Sequence, residues 1–348
     1  MNRYGFLLAF ALPLMVVVGF LLGGAWNFLT VGFSYYLLPL LDLASGQPRF
    51  KPAPDEVTVL EKDPWYRSLL YLGAAAHFAV LLFGAWAVTH VAFSWYAELG
   101  FILSIGTVTG SLGIVIAHEL GHHLKTSDRV LSRGILASVC YMHFYVEHNR
   151  GHHSHVATPE DPASARYGES LYAFLPRTLV GSFVHAWQLE KTRLAKSGIR
   201  VWDARNPMLW CVAIPVLIAV SFGLLLGAAA VWYFLAQSLV AVVLLEMVNY
   251  VEHYGLERRE LPGGGREKMD ASHSWNANHR LSSYFLFNLT RHSHHHIQVQ
   301  RHYQSLAHED DSPQLPAGYA GMLMLSLVPP LWRRVMHPRL EAHRVSSH

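Results

Sequence analysis

Cysteine is almost missing from this chain, which has only Cys140 and Cys211. Two thiols exclude a disulfide framework, a cysteine-rich zinc module and a four-cysteine iron centre. Charge is scarce as well: Lys, Arg, Asp and Glu make up 15% of the residues, against roughly 25% in soluble domains. Residues 4–41, 68–97 and 99–118 carry no charged side chain at all. What fills the space is apolar, at 52% of the chain. A helix crossing the hydrocarbon core of a bilayer needs about 20 such residues, so the composition points to an integral membrane protein. Histidine is the abundant exception, with 23 residues against 27 Lys and Arg together.

The first uncharged run is too long for one crossing, and Gly23-Gly24 and Trp26-Asn27 mark a tight turn within it. The hydropathy therefore predicts six spans, at about 4–23, 26–43, 68–90, 95–117, 207–227 and 230–253. Six crossings put both termini and the segments 45–67, 119–206 and 254–348 on one side. Arg3, four residues of 45–67, eleven of 119–206 and eleven of 254–348 account for all 27 Lys and Arg. The opposite side has none, and the positive-inside rule makes the charged side the cytoplasm. No cleavable signal sequence is expected, because a second span follows the first directly. The predicted architecture is an all-α integral membrane protein of six transmembrane helices with a cytosolic histidine-rich helical cap. Residues 1–348 form one domain, with the cap built from 119–206 and 254–348.

Four histidine clusters fall on the cytosolic side. His118-Glu-Leu-Gly-His122-His123 ends the fourth span, and Glu147-His148-Asn-Arg-Gly-His152-His153-Ser-His155 follows it. Asn249-Tyr-Val-Glu-His253-Tyr-Gly-Leu ends the sixth span, and Arg291-His292-Ser-His-His295-His296 comes last. Helical residues four apart share a face, so His118 pairs with His122 and His148 with His152, while His153 points elsewhere and serves a neighbouring metal. One zinc wants about four ligands; so many imidazoles without cysteine suit two redox metals. At the edge of an apolar bundle, such a pair suggests oxygen activation on an apolar substrate. His77 and His90, alone within a span, read as packed or capping residues. His308, His337, His343 and His348 read as solvated.

HELGHH, EHNRGHHSHVATPEDPASAR, NYVEHYGLER and LTRHSHHH resemble the histidine boxes of the membrane-bound alkane hydroxylases (alkane 1-monooxygenases). That family sits within the membrane desaturases and hydroxylases that hold two irons. The resemblance implies as ligands His118, His122, His148, His152, His153, His253, His292, His295 and His296. His123, His155 and His294 fall outside the pattern, and the family usually has a polar or acidic residue where His294 stands, so nine or ten ligands stay open. The implied activity is hydroxylation of the terminal methyl of medium-chain n-alkanes, with dioxygen as co-substrate and two iron ions as cofactor. The implied electron donor is rubredoxin, a separate protein or a missing extension, supplied by an NAD(P)H-dependent rubredoxin reductase. The implied location is the bacterial inner membrane, with lipid as the other partner and no nucleic acid.

Glu246 lies seven residues before His253 and shares its helix face, and an ionisable residue within a span is functional by default. It is expected to orient a ligand imidazole through a hydrogen bond. Glu119, Asp161 and Asp270 are further candidates for that role. Glycines 19, 23, 24, 106, 110 and 113 either leave room for an alkane channel or let helices pack closely. Three rival readings remain. A related histidine-box enzyme would be an acyl desaturase or an aromatic methyl hydroxylase. His118-Glu119-Leu-Gly-His122 is also a literal HExxH, the zinc protease signature with Glu119 as base, but that leaves three clusters unexplained. A metal transporter or sensor would place its ligands at mid-membrane rather than at the rim.

Overall fold

The computed structural model describes residues 1–346 of the chain. Among the described residues there is no β-strand; the two isolated bridges are Glu260–Arg266 and Asn276–Gln314. Six helices are long and apolar enough to cross a membrane: α1 (Arg3–Leu22), α2 (Gly24–Ser45), α3 (Pro64–His90), α4 (Trp95–His122), α6 (Pro207–Leu226) and α7 (Ala228–His253). The long connection between α4 and α6 contains a further helix, α5 (Leu171–Lys196). A six-residue helix, α8 (His292–Ile297), and the C-terminal α9 (Pro329–Ser346) follow α7.

The bundle follows from which stripe of each span is covered. On α1, Phe6, Ala9, Leu12, Val16 and Gly19 recur every three or four residues and are buried. Leu7, Leu14, Val18 and Leu21 face outward, as lipid-facing residues would. α4 is the centre of the bundle, with most of its apolar stretch buried, whereas α6 is almost wholly uncovered and lies at the periphery. Gly23 and Gly24 take φ of +73° and +53°, the left-handed region that lets α1 reverse into α2 without a Cβ clash. Gly19, Gly106 and Gly113 sit against Trp26, Val240 and His77 respectively, so close packing is their role. Of the six glycines, Gly110 also lines the cavity described below.

The cap is fixed to the bundle by buried polar contacts rather than by regular pairing. Asp42, near the end of α2, accepts the backbone N–H of Leu281 at 2.9 Å and of Ser282 at 3.0 Å, and also the Ser282 hydroxyl. Asn276 Oδ1 accepts the Ser293 N–H at 2.9 Å, satisfying an amide in the first turn of α8. The fully buried Arg291 donates to the Leu306 carbonyl at 3.1 Å. Trp332 of α9 packs between Tyr250 and Tyr254, with ring centroids 5.1 and 5.2 Å away, closing the cap over the end of α7.

His77 is buried within α3, its Nε2 2.7 Å from Ser138 Oγ, and His90 stacks on Trp86 at the end of that helix. The solvated reading fails for three others. His308 is 4% exposed and its Nδ1 lies 2.9 Å from Asn278 Nδ2. His337 sits against the Tyr254 hydroxyl at 2.9 Å, and His343 against the Ser272 carbonyl at 2.9 Å. The tail folds back as α9, which brings His337 and His343 onto the cap, while His308 is held in the preceding loop by its N–H on the Phe50 carbonyl at 2.8 Å. His348 lies outside the described residues.

Replacing Asp42 by Ala strands the buried Ser282 N–H and hydroxyl and the half-buried Leu281 N–H, a buried group left unpaired costing about 1–3 kcal/mol. Asp42→Ala is therefore expected to lower the unfolding midpoint in detergent clearly, whereas Asp55→Ala, on the exposed 54–62 helix, leaves it within about 0.5 kcal/mol.

Candidate metal centre

The last turn of α4 brings His118 and His122 onto one face, with ring centroids 4.9 Å apart. Four residues per face is not the rule in the next segment. Phe144–Glu147 is α-helical, but His148–His152 forms a π-turn, in which residues five apart come together. The sequence expectation that His148 and His152 act as an i,i+4 pair is corrected accordingly. His148 Nε2 lies 3.1 Å from His122 Nε2 and 3.0 Å from His153 Nε2. His152 turns the other way, its Nε2 3.2 Å from that of His296. α8 is split in the same manner: His296 Nε2 is 2.9 Å from His292 Nε2, while the His295 ring faces His118 and His122 at centroid distances of 4.5 and 4.7 Å.

The outcome is two adjacent groups of four. His118, His122, His148 and His295 form one; His152, His253, His292 and His296 form the other. Within each group, one nitrogen per ring lies within 4.8 Å of the others. His153 stands at the seam, its ring centroid 4.9 Å from that of His295 and 4.6 Å from that of His296.

These donors fit metal ions. His118 Nε2, His295 Nε2 and both nitrogens of His253 are buried and have no hydrogen-bond partner among the described residues. Elsewhere lone-pair nitrogens face one another across about 3 Å, where a single proton serves two rings at best. Each unpaired buried group costs about 1–3 kcal/mol, a penalty that a cation held by four imidazoles removes. Imidazole-only donors suit first-row metals such as iron, copper or zinc.

The carboxylates around the cluster redistribute the roles expected from sequence. Asp161 does orient an imidazole: its Oδ2 accepts from His152 Nδ1 at 2.9 Å and from Ser164 Oγ at 2.6 Å. Burial works against the charge on Asp161, but His152 and Ser164 outweigh it and hold the carboxyl below its ordinary range. Glu246 does not orient an imidazole. It accepts from the hydroxyls of Tyr141 at 2.6 Å and Thr178 at 2.7 Å and from Asn249 at 3.2 Å, because its side chain meets α5 and the 139–146 segment before it can reach His253. Asp270 caps the turn Ala271–His273 and pairs with His273 at 2.9 Å. Glu119 points away from both groups, toward His123 and His302, which leaves the HExxH protease reading without its base between the two histidines.

Sequence reasoning passed over Glu252. It is buried, and its Oε2 lies 3.1 Å from His292 Nε2. The available signal was an ionisable residue in the last turn of a span, directly before His253. His294 belongs to neither group of four; its Nδ1 donates to Glu309 at 2.6 Å. His155 caps the Gly151 carbonyl at 3.0 Å.

A narrow cavity of about 90 Å³ leads into the bundle from this cluster. Its walls are mostly aliphatic and aromatic, with Leu12, Leu38, Ile114, Val115, Leu245, Phe285 and Leu289 among them, and His118, His148 and His292 line one end. Tyr35 and Thr107 also line it, their hydroxyls 3.5 Å apart.

Residues 93–326 match the family model described as fatty acid desaturase. An alkane 1-monooxygenase of Pseudomonas aeruginosa is 45% identical over 321 residues, covering 92% of this chain and 85% of that protein. One from Alcanivorax borkumensis is 40% identical over 351 residues, covering 99% of this chain and 92% of that protein. The hydroxylase component of a xylene/toluene monooxygenase from Pseudomonas putida is more distant, at 26% over 329 residues. With its histidine-lined site at one end of a six-helix apolar bundle, this chain belongs to the alkane 1-monooxygenase family.

Proposed function

We propose that the two groups of four histidines each hold one iron ion, with His153 as the ninth ligand at the seam. The chain then hydroxylates the terminal methyl of medium-chain n-alkanes to primary alcohols. The observation that carries this reading is the apolar cavity whose end is lined by His118 and His148 of one group and His292 of the other. Bound iron would supply the activation of dioxygen, one atom going to the methyl carbon and the other to water.

The protein's own residues do the selecting. An alkane offers no polar handle, so only burial holds it, at about 0.8 kcal/mol per methylene. A narrow wall of aliphatic side chains admits an extended chain end-on and presents its terminal carbon to the histidines. Thr107 lies eleven residues before His118 on α4, about 16 Å at 1.5 Å per residue, a length suited to a medium chain. Phe144 stacks beside His148 with ring centroids 4.8 Å apart and helps keep water from the cluster. Asp161 holds His152 in the tautomer whose Nε2 faces its group.

The histidine end of the bundle carries the Lys and Arg of the loops, which supports a cytosolic active site in the inner membrane, with both termini on that side. Cys140 and Cys211 are packed in different elements and cannot hold a four-thiolate iron. The electrons are therefore assigned to a rubredoxin, as a separate protein or as an extension of this chain, reduced by an NAD(P)H-dependent reductase. A small acidic protein of that kind suits a basic docking face.

Metal analysis of the purified enzyme should give close to two irons per chain; one zinc would end this reading. His295 and His296 are neighbours in sequence but belong to different groups. His295→Ala and His296→Ala should each retain about one iron, lost from different sites, and each should abolish turnover. Octane supplied with labelled dioxygen should yield labelled 1-octanol, and an unlabelled alcohol would sink the monooxygenase assignment. Parallel incubations with an acyl chain and with xylene separate the desaturase and aromatic alternatives. Ser34→Phe narrows the wall beside Tyr35 and should shift the preferred substrate to shorter alkanes; an unchanged length profile would remove that wall from the channel.

A further inference from the structure

Glu119 and His123 are four residues apart at the end of α4, on the side away from the two histidine groups. The turn before Tyr303 brings His302 to the same place. Glu119 Oε1 lies 3.2 Å from His123 Nε2 and 3.5 Å from His302 Nδ1, and it accepts the Tyr303 N–H at 3.1 Å. The two imidazole centroids are 4.5 Å apart. One donor atom from each of the three residues lies within 4.8 Å of the other two.

The surroundings are arranged as for a metal ligand. His123 Nδ1 hydrogen-bonds Asp128 Oδ2 at 2.8 Å and its Nε2 hydrogen-bonds Glu119 Oε1 at 3.2 Å, so a cation here takes the place of the proton shared by Nε2 and the carboxylate. Asp128 is itself buried and held by Arg67 through two contacts of 2.9 and 2.7 Å and by the Tyr71 hydroxyl at 2.7 Å. A carboxylate that fixes the tautomer and aim of a histidine is the usual outer support of a ligating imidazole. Beside the three residues lies a separate polar cavity of about 240 Å³, which Glu119, His122, His123 and His302 all line. It has room for water to complete a coordination shell.

We propose that Glu119, His123 and His302 form a third cation site, binding one divalent first-row ion of the zinc type with water from this cavity as the remaining ligand. Two imidazoles, one carboxylate and an open position make a common zinc donor set. The ion ties the end of α4 to the segment that follows α8, the two elements that between them carry five of the nine expected ligands. It also lies next to His122, which borders both this cavity and the first histidine group.

Equilibrium dialysis of the purified enzyme, carrying its resident metals, against zinc chloride tests this, with bound zinc and retained resident metal read by elemental analysis of one sample. The wild type should gain one zinc per chain without losing resident metal. His302→Ala and Glu119→Gln should abolish that gain. His302 is partly solvent-exposed, and retention of the resident metals in its variant shows that the fold survives. Asp128→Asn should weaken zinc binding by about ten- to a hundredfold. The proposal is overturned if no zinc is gained or if zinc only replaces resident metal. It also fails if His302→Ala binds as much zinc as the wild type, or if Asp128→Asn leaves the affinity unchanged.

Discussion

Nine imidazoles packed together, seven of them buried, are the constraint on which the rest of this molecule depends. Each ring has two nitrogens needing partners, and burial removes the water that would serve them. Only some find protein partners: His152 has Asp161 and His292 has Glu252, but His118, His253 and His295 keep unpaired nitrogens. A cluster of this kind is tolerable when cations take up the lone pairs, and it must then be held rigidly by everything around it. That requirement explains why the elements carrying the histidines are among the best-buried parts of the chain, with α4 at the centre and α8 anchored by Asn276 and Arg291.

The two kinds of environment meet at one plane. On one side the cavity wall is mostly hydrocarbon, with Tyr35, Thr107, Asn249 and Glu252 among its polar members. On the other side a polar shell of Asp161, Ser164 and Glu309 contacts the cluster or its neighbours.

Much of this was legible in the sequence. Uncharged runs located six helices to within a few residues, because hydrocarbon length sets the number of apolar residues directly. α4 alone extends clearly further than expected, to His122 rather than to about 117, since its last turn is buried in the cap instead of ending at the lipid boundary. The pairing of His118 with His122 followed from α-helical spacing. The pairing of His148 with His152 did not hold, because the π-turn there moves the partner from the fourth residue to the fifth. Glu246 shares a face with His253, yet it spends its carboxylate on Tyr141 and Thr178, residues from other elements. Shared face is a property of one helix; what that face meets is not.

The sequence alone therefore determined the spans and the stock of histidines, since both depend on composition and local period. Tertiary structure decided how those histidines are divided between two groups and which carboxylates support them. His152 meets His296 across 144 positions of chain, and His295 and His296, adjacent in sequence, face different groups. Contacts over such separations are set by helix packing and by the local geometry of short turns, neither of which is written in the spacing of residues along a single helix.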